Sequence, residues 1–261
     1  MKAGRRRARW AAAGAVAVAL CAALSSPAVA SAETSVSLER KPDYANPVLE
    51  VIGDDKGSDV TVLSDTEYDY DAGGYTTTFT VDVGGGVSVG PDCERTAAKQ
   101  VVCVMKSNTR GNSSIVSAGG GRDTVTIGKS YMTSVIVDGG GGRDDLTGYY
   151  GYNAMVVHGG PGDDLLHSGP YGGVELYGDD GDDRLIGGRY DNVLVGGPGV
   201  DIFRGKTGSD DIRAADGRAD RIINCGDAHA SYNDNDHATV DPEDGVPREC
   251  ETYVVIKDNG R

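Results

Sequence analysis

The sequence has few bulky aromatic residues and few positive charges. Two phenylalanines and one tryptophan accompany 13 tyrosines, and 25 Lys and Arg stand against 40 Asp and Glu, so the formal net charge is −15 at pH 7. A chain this acidic repels the phosphates of nucleic acid and of anionic lipid headgroups. We therefore expect no nucleic-acid partner, and cations are the first partners to consider.

The sequence also lacks the motifs of common enzymes. It has no HExxH zinc motif and no phosphate-binding glycine loop. Ser88 lies in a GxSxG pattern, GVSVG (86–90), but a nucleophilic serine of this kind needs a following helix, and no helical pattern follows. We predict that the protein is not an enzyme, and a hydrolase that uses Ser88 is a distant alternative.

Long apolar runs are absent after the first 24 residues. Five basic residues precede the apolar stretch Ala11–Leu24, and Ala30-Ser31-Ala32 is a small-x-small cleavage pattern, which is typical of a secretory signal peptide. We predict a signal peptide at residues 1–32 and a secreted, extracellular product without membrane insertion. Cleavage removes five positive charges and no negative ones, so the net charge changes from −15 to −20.

Cysteine pairs in a CxxC spacing, which would indicate a zinc site, are absent as well. Four cysteines remain after residue 32, and an even number in an exported chain favours two disulfides over metal ligation. Their order favours Cys93 with Cys103 and Cys225 with Cys250, although three pairings are possible.

Glycine, by contrast, is abundant, with 40 residues, and it recurs in nine-residue frames. Ten frames follow one another at spacings of nine to eleven residues, and the last four steps are nine each; they start at Ala118, Gly128, Gly139, Gly148, Gly159, Gly169, Gly178, Gly187, Gly196 and Gly205. The eighth position is apolar in every frame and indicates a core: Val125, Val135, Leu146, Met155, Leu166, Leu176, Leu185, Leu194, Phe203 and Ile212.

The sixth position divides the frames into two alternating series. One series has aspartate throughout, at Asp123, Asp144, Asp164, Asp183 and Asp201, whereas the other has Thr133, Asn153, Val174, Asn192 and Asp210. Two frames therefore make one turn, with all odd bends on one edge and all even bends on the other. This pattern predicts an all-β fold, a parallel β-helix or β-roll solenoid with successive turns about 4.8 Å apart.

Stacked aspartates on one edge need a cation. Carboxylates about 5 Å apart repel by about 3 kcal/mol per pair at an effective dielectric constant near 20. Calcium accepts six to eight oxygen ligands and combines carboxylates with backbone carbonyls in flexible geometry. The pattern predicts calcium ions between adjacent turns.

Five frames resemble the GGxGxDxUx nonapeptide of the hemolysin-type (RTX) calcium-binding family, in which U is a large apolar residue. They are GGGGRDDLT (139–147), GGPGDDLLH (159–167), GDDGDDRLI (178–186), GGPGVDIFR (196–204) and GKTGSDDIR (205–213). The resemblance implies a secreted bacterial β-roll that binds several Ca²⁺. It implies metal ligation by the motif aspartates Asp123, Asp144, Asp164, Asp183, Asp201 and Asp210, with carbonyls from flanking glycines such as Gly139, Gly159, Gly178 and Gly196. Asp220, nineteen residues after Asp201, is a further candidate ligand.

Other segments flank the repeats. We expect a small β segment at residues 33–112, in which GDDKGSDVTV (53–62) is a decayed repeat containing Asp59. The repeats themselves span 113–223, and a disulfide-closed cap spans 224–261. In the cap, His229, Asp234, Asp236 and His237 offer an alternative transition-metal site.

Tyrosines recur near the even bends, at Tyr131, Tyr150, Tyr171 and Tyr190. The simpler interpretation is that they stack where calcium is missing. The alternative is a cell-surface adhesion or glycan-binding module that uses this tyrosine-rich edge.

Overall fold

The computed structural model describes residues 33–44, 46–70, 73–90, 92–107, 113–128, 134–148, 154–170, 173–226 and 235–256. These residues form strands, turns and bends, with no helix among them. Consequently, within these ranges, no helix long and apolar enough to cross a membrane is present. The predicted signal peptide and three of the tyrosines near the even bends, Tyr131, Tyr150 and Tyr171, lie outside the described residues.

Twenty-three strands follow one another along the described chain. The strands before the repeats are β1 (Thr34–Glu39), β2 (Val48–Ile52), β3 (Asp59–Asp69), β4 (Gly74–Val83), β5 (Val87–Val89), β6 (Cys93–Ala97) and β7 (Gln100–Ser107). The next group is β8 (Ser113–Ser117), β9 (Gly120–Gly121), β10 (Thr124–Ile127), β11 (Ser134–Asp138), β12 (Gly141–Gly142), β13 (Asp145–Gly148), β14 (Ala154–His158), β15 (Leu165–His167) and β16 (Val174–Tyr177). The last are β17 (Arg184–Ile186), β18 (Val193–Val195), β19 (Ile202–Arg204), β20 (Asp211–Arg213), β21 (Ile222–Asn224), β22 (His237–Val240) and β23 (Thr252–Val255).

The strands of the repeats alternate between two large sheets, and within each sheet they pair in parallel. The first sheet has the order β23-β22-β20-β18-β16-β14-β11-β8-β2-β1-β5, and the second has the order β21-β19-β17-β15-β13-β10-β3-β4-β7-β6. A two-stranded pair, β12 with β9, joins neighbouring bends. Each turn of the chain adds one strand to each large sheet, so the predicted all-β parallel β-roll is confirmed.

The eighth-position residues form the core between the two sheets. In the second sheet Val125, Leu146, Leu166, Leu185 and Phe203 stand in register on successive strands, and each is at most 1% exposed. Buried residues of both sheets belong to one continuous apolar cluster. The phase of the repeat is therefore fixed by burial of one apolar column per sheet.

Two frames are displaced from the predicted register. Val135 and Met155 stand in register with Val174, which occupies the sixth position of its own frame, and Val157 stands in register with Leu176. The frames that start at Gly128 and Gly148 are therefore two residues out of phase, so the sixth-position assignments of Thr133 and Asn153 were wrong. The pattern of apolar residues does not reveal a shift of two residues, because residues two apart on a strand point to the same side.

The solenoid begins with residues 48–62. Strand β2 pairs in parallel with β8, and β3 pairs in parallel with β10, which places Ser58 level with Asp123. Ser58, not Asp59, therefore occupies the sixth position of this turn. Strands β4, β6 and β7 extend the second sheet by antiparallel pairing, so the predicted amino-terminal segment and the repeats share both sheets.

Both disulfides are those favoured by the order of the cysteines. Cys93 is bonded to Cys103 across the antiparallel pair β6–β7, and Cys225 is bonded to Cys250. Cys225 follows the last strand of the second sheet, and the Cys225 N–H donates to the Arg248 carbonyl at 3.0 Å. The second bond thus ties the end of the solenoid to the segment that leads into β23.

Replacing Leu185 by alanine tests the core column. Leu185 is 0% exposed, so the variant should lose about 2–5 kcal/mol of unfolding free energy through lost burial and a residual cavity. Denaturant unfolding of the calcium-loaded protein measures the loss. Arg184→Ala, on the exposed neighbour, should change the unfolding free energy by less than about 0.5 kcal/mol. Equal effects of the two changes would contradict the assignment of the column.

Candidate metal-binding site

The odd bends share one backbone conformation. The second frame position has positive φ in Gly140 (87°), Gly160 (96°) and Gly197 (99°), and the fourth has positive φ in Gly142 and Gly162 (140° and 151°). At the fourth position, a Cβ atom would collide with the carbonyl oxygen of the bend on the preceding turn. The close stacking of turns therefore requires glycine at the fourth position, whereas the positive φ at the second position only favours it.

Aspartates run along this edge as a continuous hydrogen-bonded series, which we call the aspartate ladder: Asp123, Asp144, Asp164, Asp183, Asp201 and Asp220. The backbone N–H of each donates to Oδ1 of the next, one turn further along, at 2.7–2.8 Å. The Ser58 N–H donates to Asp123 at one end, and the Asp220 N–H donates to Asp244 Oδ1 at 2.9 Å at the other. The structure thus brings six of the seven predicted aspartates together.

The second carboxylate oxygen of most ladder residues has no partner. Oδ2 is buried and without a hydrogen bond in Asp123, Asp144, Asp164, Asp183 and Asp220. A Cβ atom at Gly139 would lie 2.7 Å from Oδ2 of Asp144, and one at Gly159 would lie 2.5 Å from Oδ2 of Asp164. Gly178 and Gly196 face Asp183 and Asp201 in the same way. The four predicted glycines therefore leave open the space beside these oxygens.

Burial is the main influence on the charge state of the ladder. It raises the pKa of Asp164 to about 7 and the pKa values of Asp183 and Asp220 to about 8, against a reference of 3.8. The backbone N–H donors lower these pKa values and the neighbouring carboxylates raise them, by smaller amounts. In the metal-free chain, the ladder resists ionisation because its negative charges are buried next to one another.

The donor set fits a hard divalent cation. Unpartnered carboxylate oxygens and turn carbonyls are ligands that Ca²⁺ prefers. Within the described residues, no group of three or more His, Cys, Asp or Glu side chains is placed to hold a metal ion by itself. An ion at this edge therefore needs backbone carbonyls beside the carboxylates, as the Gly-rich bends provide.

The opposite edge carries a shorter polar series. The Asn192 N–H and Nδ2 both donate to Oδ1 of Asp210, at 2.8 and 2.9 Å. The Asp210 N–H donates to Oδ1 of Asp236 at 2.7 Å, and the Asp236 N–H donates to Glu251 at 2.7 Å. Asp210 is therefore the one predicted aspartate on this edge; its Oδ2 is buried without a partner, and burial raises its pKa to about 7.

Sequence reasoning missed Asp244 as a continuation of the ladder and Asp236 as the neighbour of Asp210. Asp244 lies 24 residues after Asp220, and Asp236 lies 26 residues after Asp210, so neither keeps the nine-residue spacing. The signal that remains in the sequence is an aspartate followed within four residues by a strand-like run, as in Asp236 before β22.

The alternative sites do not assemble within the described residues. Ser88 is exposed in β5, and the next element is strand β6, so the helix of a nucleophile elbow does not follow it. His237 Nδ1 lies 2.9 Å from Thr252 Oγ1, and Asp236 belongs to the series with Asp210. His229 and Asp234, the other members of the predicted transition-metal site, lie outside the described residues.

Comparison with known proteins identifies the repeats. The RTX calcium-binding nonapeptide repeat, in four copies, matches residues 177–212. These residues include the odd bends that hold Asp183 and Asp201 and the even bends that hold Asn192 and Asp210. No curated protein and no solved structure gives a significant match to the chain. The chain therefore carries RTX calcium-binding repeats, and the prediction made from the nine-residue frames is confirmed.

The raised pKa values predict an inverse pH dependence of stability without calcium. A carboxyl group whose pKa is higher in the folded chain contributes full stability below its unfolded pKa, near 4, and that stability is lost as pH rises through the folded pKa. In chelator, the denaturation midpoint should therefore fall between about pH 5 and about pH 8.5, where Asp183 and Asp220 lose their protons.

Calcium should reverse this trend, because the ion favours the ionised carboxylates and its binding displaces their protons. Urea titrations at both pH values, with chelator and with calcium, measure the effect. Asp183→Asn should show a weaker loss of stability with rising pH than the unchanged protein. A chelator midpoint that rises steadily with pH would contradict the assigned burial of the ladder.

Proposed function

We propose that this chain is a secreted calcium-binding β-roll protein, in which several Ca²⁺ ions lie between successive turns of the aspartate ladder and stabilise the fold. The observation that carries the proposal is the row of buried, unpartnered Oδ2 atoms on Asp123, Asp144, Asp164, Asp183 and Asp220. The RTX repeats at residues 177–212 support calcium as the ion.

The ladder aspartates would hold the ions together with bend carbonyls near Gly139, Gly159, Gly178 and Gly196. Bound calcium would neutralise the negative charge of the buried carboxylates. Each ladder aspartate uses Oδ1 to accept an N–H of the preceding turn, which leaves Oδ2 for a cation. On this basis Asp210 would hold an ion at the opposite edge, beside Asp236.

Calcium would change the ladder from a destabilising feature into a stabilising one. A buried polar atom without a partner costs about 1–3 kcal/mol, and more when charged. An ion that binds only the folded chain adds about 2.7 kcal/mol of stability at 100 times its dissociation constant. Extracellular calcium modules bind at about 10⁻⁴ to 10⁻³ M, so such a chain folds fully where calcium is plentiful.

The proposed biology follows from this dependence. Residues 1–32 would direct export, the solenoid would form outside the cell, and the two disulfides suit that oxidising environment. Repeats of this class typically have a structural or binding role and no catalytic one, and we propose the same here. The predicted divisions at residues 112 and 223 are kept as proposed boundaries of the amino-terminal segment, the repeats and the cap.

Adhesion through a tyrosine-rich even edge stays a prediction. Of the four tyrosines named for that edge, Tyr190 is the one within the described residues, and its side chain is 46% exposed. A single exposed tyrosine does not form a ladder, so the described residues do not favour this alternative over calcium binding.

Removing one ladder carboxylate tests the proposal directly. Asp183→Asn keeps an oxygen for the Asp164 N–H and removes the charge, so it should lower the calcium stoichiometry and reduce the melting temperature in calcium. Calorimetry gives the stoichiometry, and far-ultraviolet circular dichroism follows the calcium-specific gain of β structure, with magnesium as the control ion.

Asp211→Asn is the matched control variant. Asp211 lies in the same repeats, but its partly exposed carboxylate pairs with Arg213 at 2.8 Å and takes no part in either hydrogen-bonded series. It should leave the stoichiometry unchanged. If Asp183→Asn and the unchanged protein bound the same number of ions with the same melting temperature, the proposed edge would be ruled out.

A gain of function should be possible on the opposite edge. Asn192→Asp replaces the amide that donates to Asp210 by a carboxylate, and so places two like charges side by side. In chelator the variant should be less stable, by about the 1–3 kcal/mol of an unsatisfied buried group. In calcium it should bind one additional ion, which calorimetry detects; a variant that is destabilised equally with and without calcium would contradict this role of the edge.

A further inference from the structure

An open cleft of about 380 Å³ lies beside the odd bends, on the outer side of the first sheet. Pro161 and Pro198 stand at its two ends, and Tyr177, Val195 and Asp180 line it between them. The calcium proposal uses none of these side chains. The volume is at the small end of the range for ligand sites, which run from about 300 to 1,000 Å³.

The cleft coincides with a local departure in the repeat sequence. The bends at 159–162 and 196–199 read GGPG, whereas the bend between them, 178–181, reads GDDG. The middle turn therefore lacks the proline that its neighbours have, and it carries Asp179 and Asp180 in place of glycine and proline. The cleft lies at this middle turn, between Pro161 and Pro198.

Asp179 occupies a conformation that favours glycine. Its φ is 70°, while Gly160 and Gly197 hold the same position in the neighbouring bends. Aspartate tolerates this region better than most residues, but at a cost in free energy. Its carboxylate lies 3.0 Å from Nδ1 of His158, and Asp179 also lines the cleft. Asp179 is thus placed where its carboxylate contacts the His158 ring and also faces a ligand in the cleft.

His158 fixes Tyr177 as one wall of the cleft. The two rings stack with centroids 4.7 Å apart and planes 9° from parallel. His158, Tyr177 and Val195 stand in register on successive strands, so the small Val195 follows Tyr177 on the side away from His158. The Tyr177 hydroxyl donates to Glu175 at 2.9 Å. The ring is therefore held from two sides and presents a rigid apolar face to the cleft.

The polar groups in the cleft select the ligand by its hydrogen-bond donors. Asp179 and Asp180 provide acceptors, and none of the described residues that line the cleft is basic. An anionic ligand would be repelled. A sugar ring offers hydroxyl donors at its rim and an apolar C–H face, which match the carboxylates and the Tyr177 ring in turn.

We propose that this cleft is a carbohydrate-binding subsite, which takes a neutral sugar unit against Tyr177 with its hydroxyls directed to Asp179 and Asp180. The proposal goes beyond calcium binding and has a different readout.

The test uses the calcium-loaded mature chain and four probes: the methyl glycosides of glucose, galactose, mannose and N-acetylglucosamine. Saturation-transfer NMR detects binding, and titration gives the affinity. At least one probe should bind, and Tyr177→Ala should weaken it by about tenfold or more. Tyr177→Phe should stay within about twofold, because the hydroxyl is directed to Glu175 and the ring is kept. Tyr190→Ala, on the other edge, should have no effect.

A second variant guards against a folding defect in Tyr177→Ala. The double change Asp179→Gly with Asp180→Pro converts GDDG into the GGPG of the neighbouring turns, so it should keep the fold and the calcium stoichiometry while abolishing sugar binding. Calcium stoichiometry, measured on every variant, reports separately on the proposed calcium function.

Three results would overturn the subsite: no binding of any probe, binding that survives the GGPG change unaltered, or binding of methylammonium under conditions where none of the sugars bind. The last would identify the cleft as a site for organic cations. None of these outcomes bears on whether the ladder binds calcium.

Discussion

The hydrogen bond between a backbone N–H of one turn and the Asp carboxylate of the next is the interaction on which the solenoid's bends depend. It places a buried carboxylate at every turn, from Asp123 to Asp220, and the carboxylates from Asp144 onward each accept through Oδ1. The same bond uses only one oxygen, so most turns of the ladder are left with a buried acceptor in a low-dielectric setting. A cation is the partner that meets this need without adding a side chain.

Sequence periodicity predicted the part of the fold in which the nine-residue spacing repeats without interruption. From Gly169 onward the frames step by nine, and the eighth-position residues Leu176, Leu185, Leu194, Phe203 and Ile212 are all buried. Earlier even bends are longer, and there the frame slipped by two residues because Val135 and Val137 both point inward. Period-two alternation on a strand cannot distinguish such shifts, so only the pairing of strands in space fixed them.

Most of the candidate site could be predicted from the same nine-residue period, but the members outside that period could not. Aspartates at the sixth position could be read directly, as could the glycines beside them. Asp236 and Asp244 join the two edges only after the chain has left the nine-residue frame, through segments of different length. Ser58 enters the first turn with a hydroxyl in place of a carboxylate. The residues of these end turns are identified by their contacts in space and not by their spacing in the sequence, as is usual where a solenoid must be capped.

The collision that any Cβ would have at the fourth position of the bends has one more consequence. Because Gly142 and Gly162 let the backbones of adjacent bends touch, the distance between turns is set by peptide contacts and sheet hydrogen bonds, not by side chains. The opening between two bends therefore has a fixed length, which a bound ion cannot shorten. A smaller ion such as magnesium, which needs oxygens at about 2.0–2.1 Å in an octahedron, would have to compress the whole stack to be held. Ion selectivity would then be a property of the solenoid's pitch.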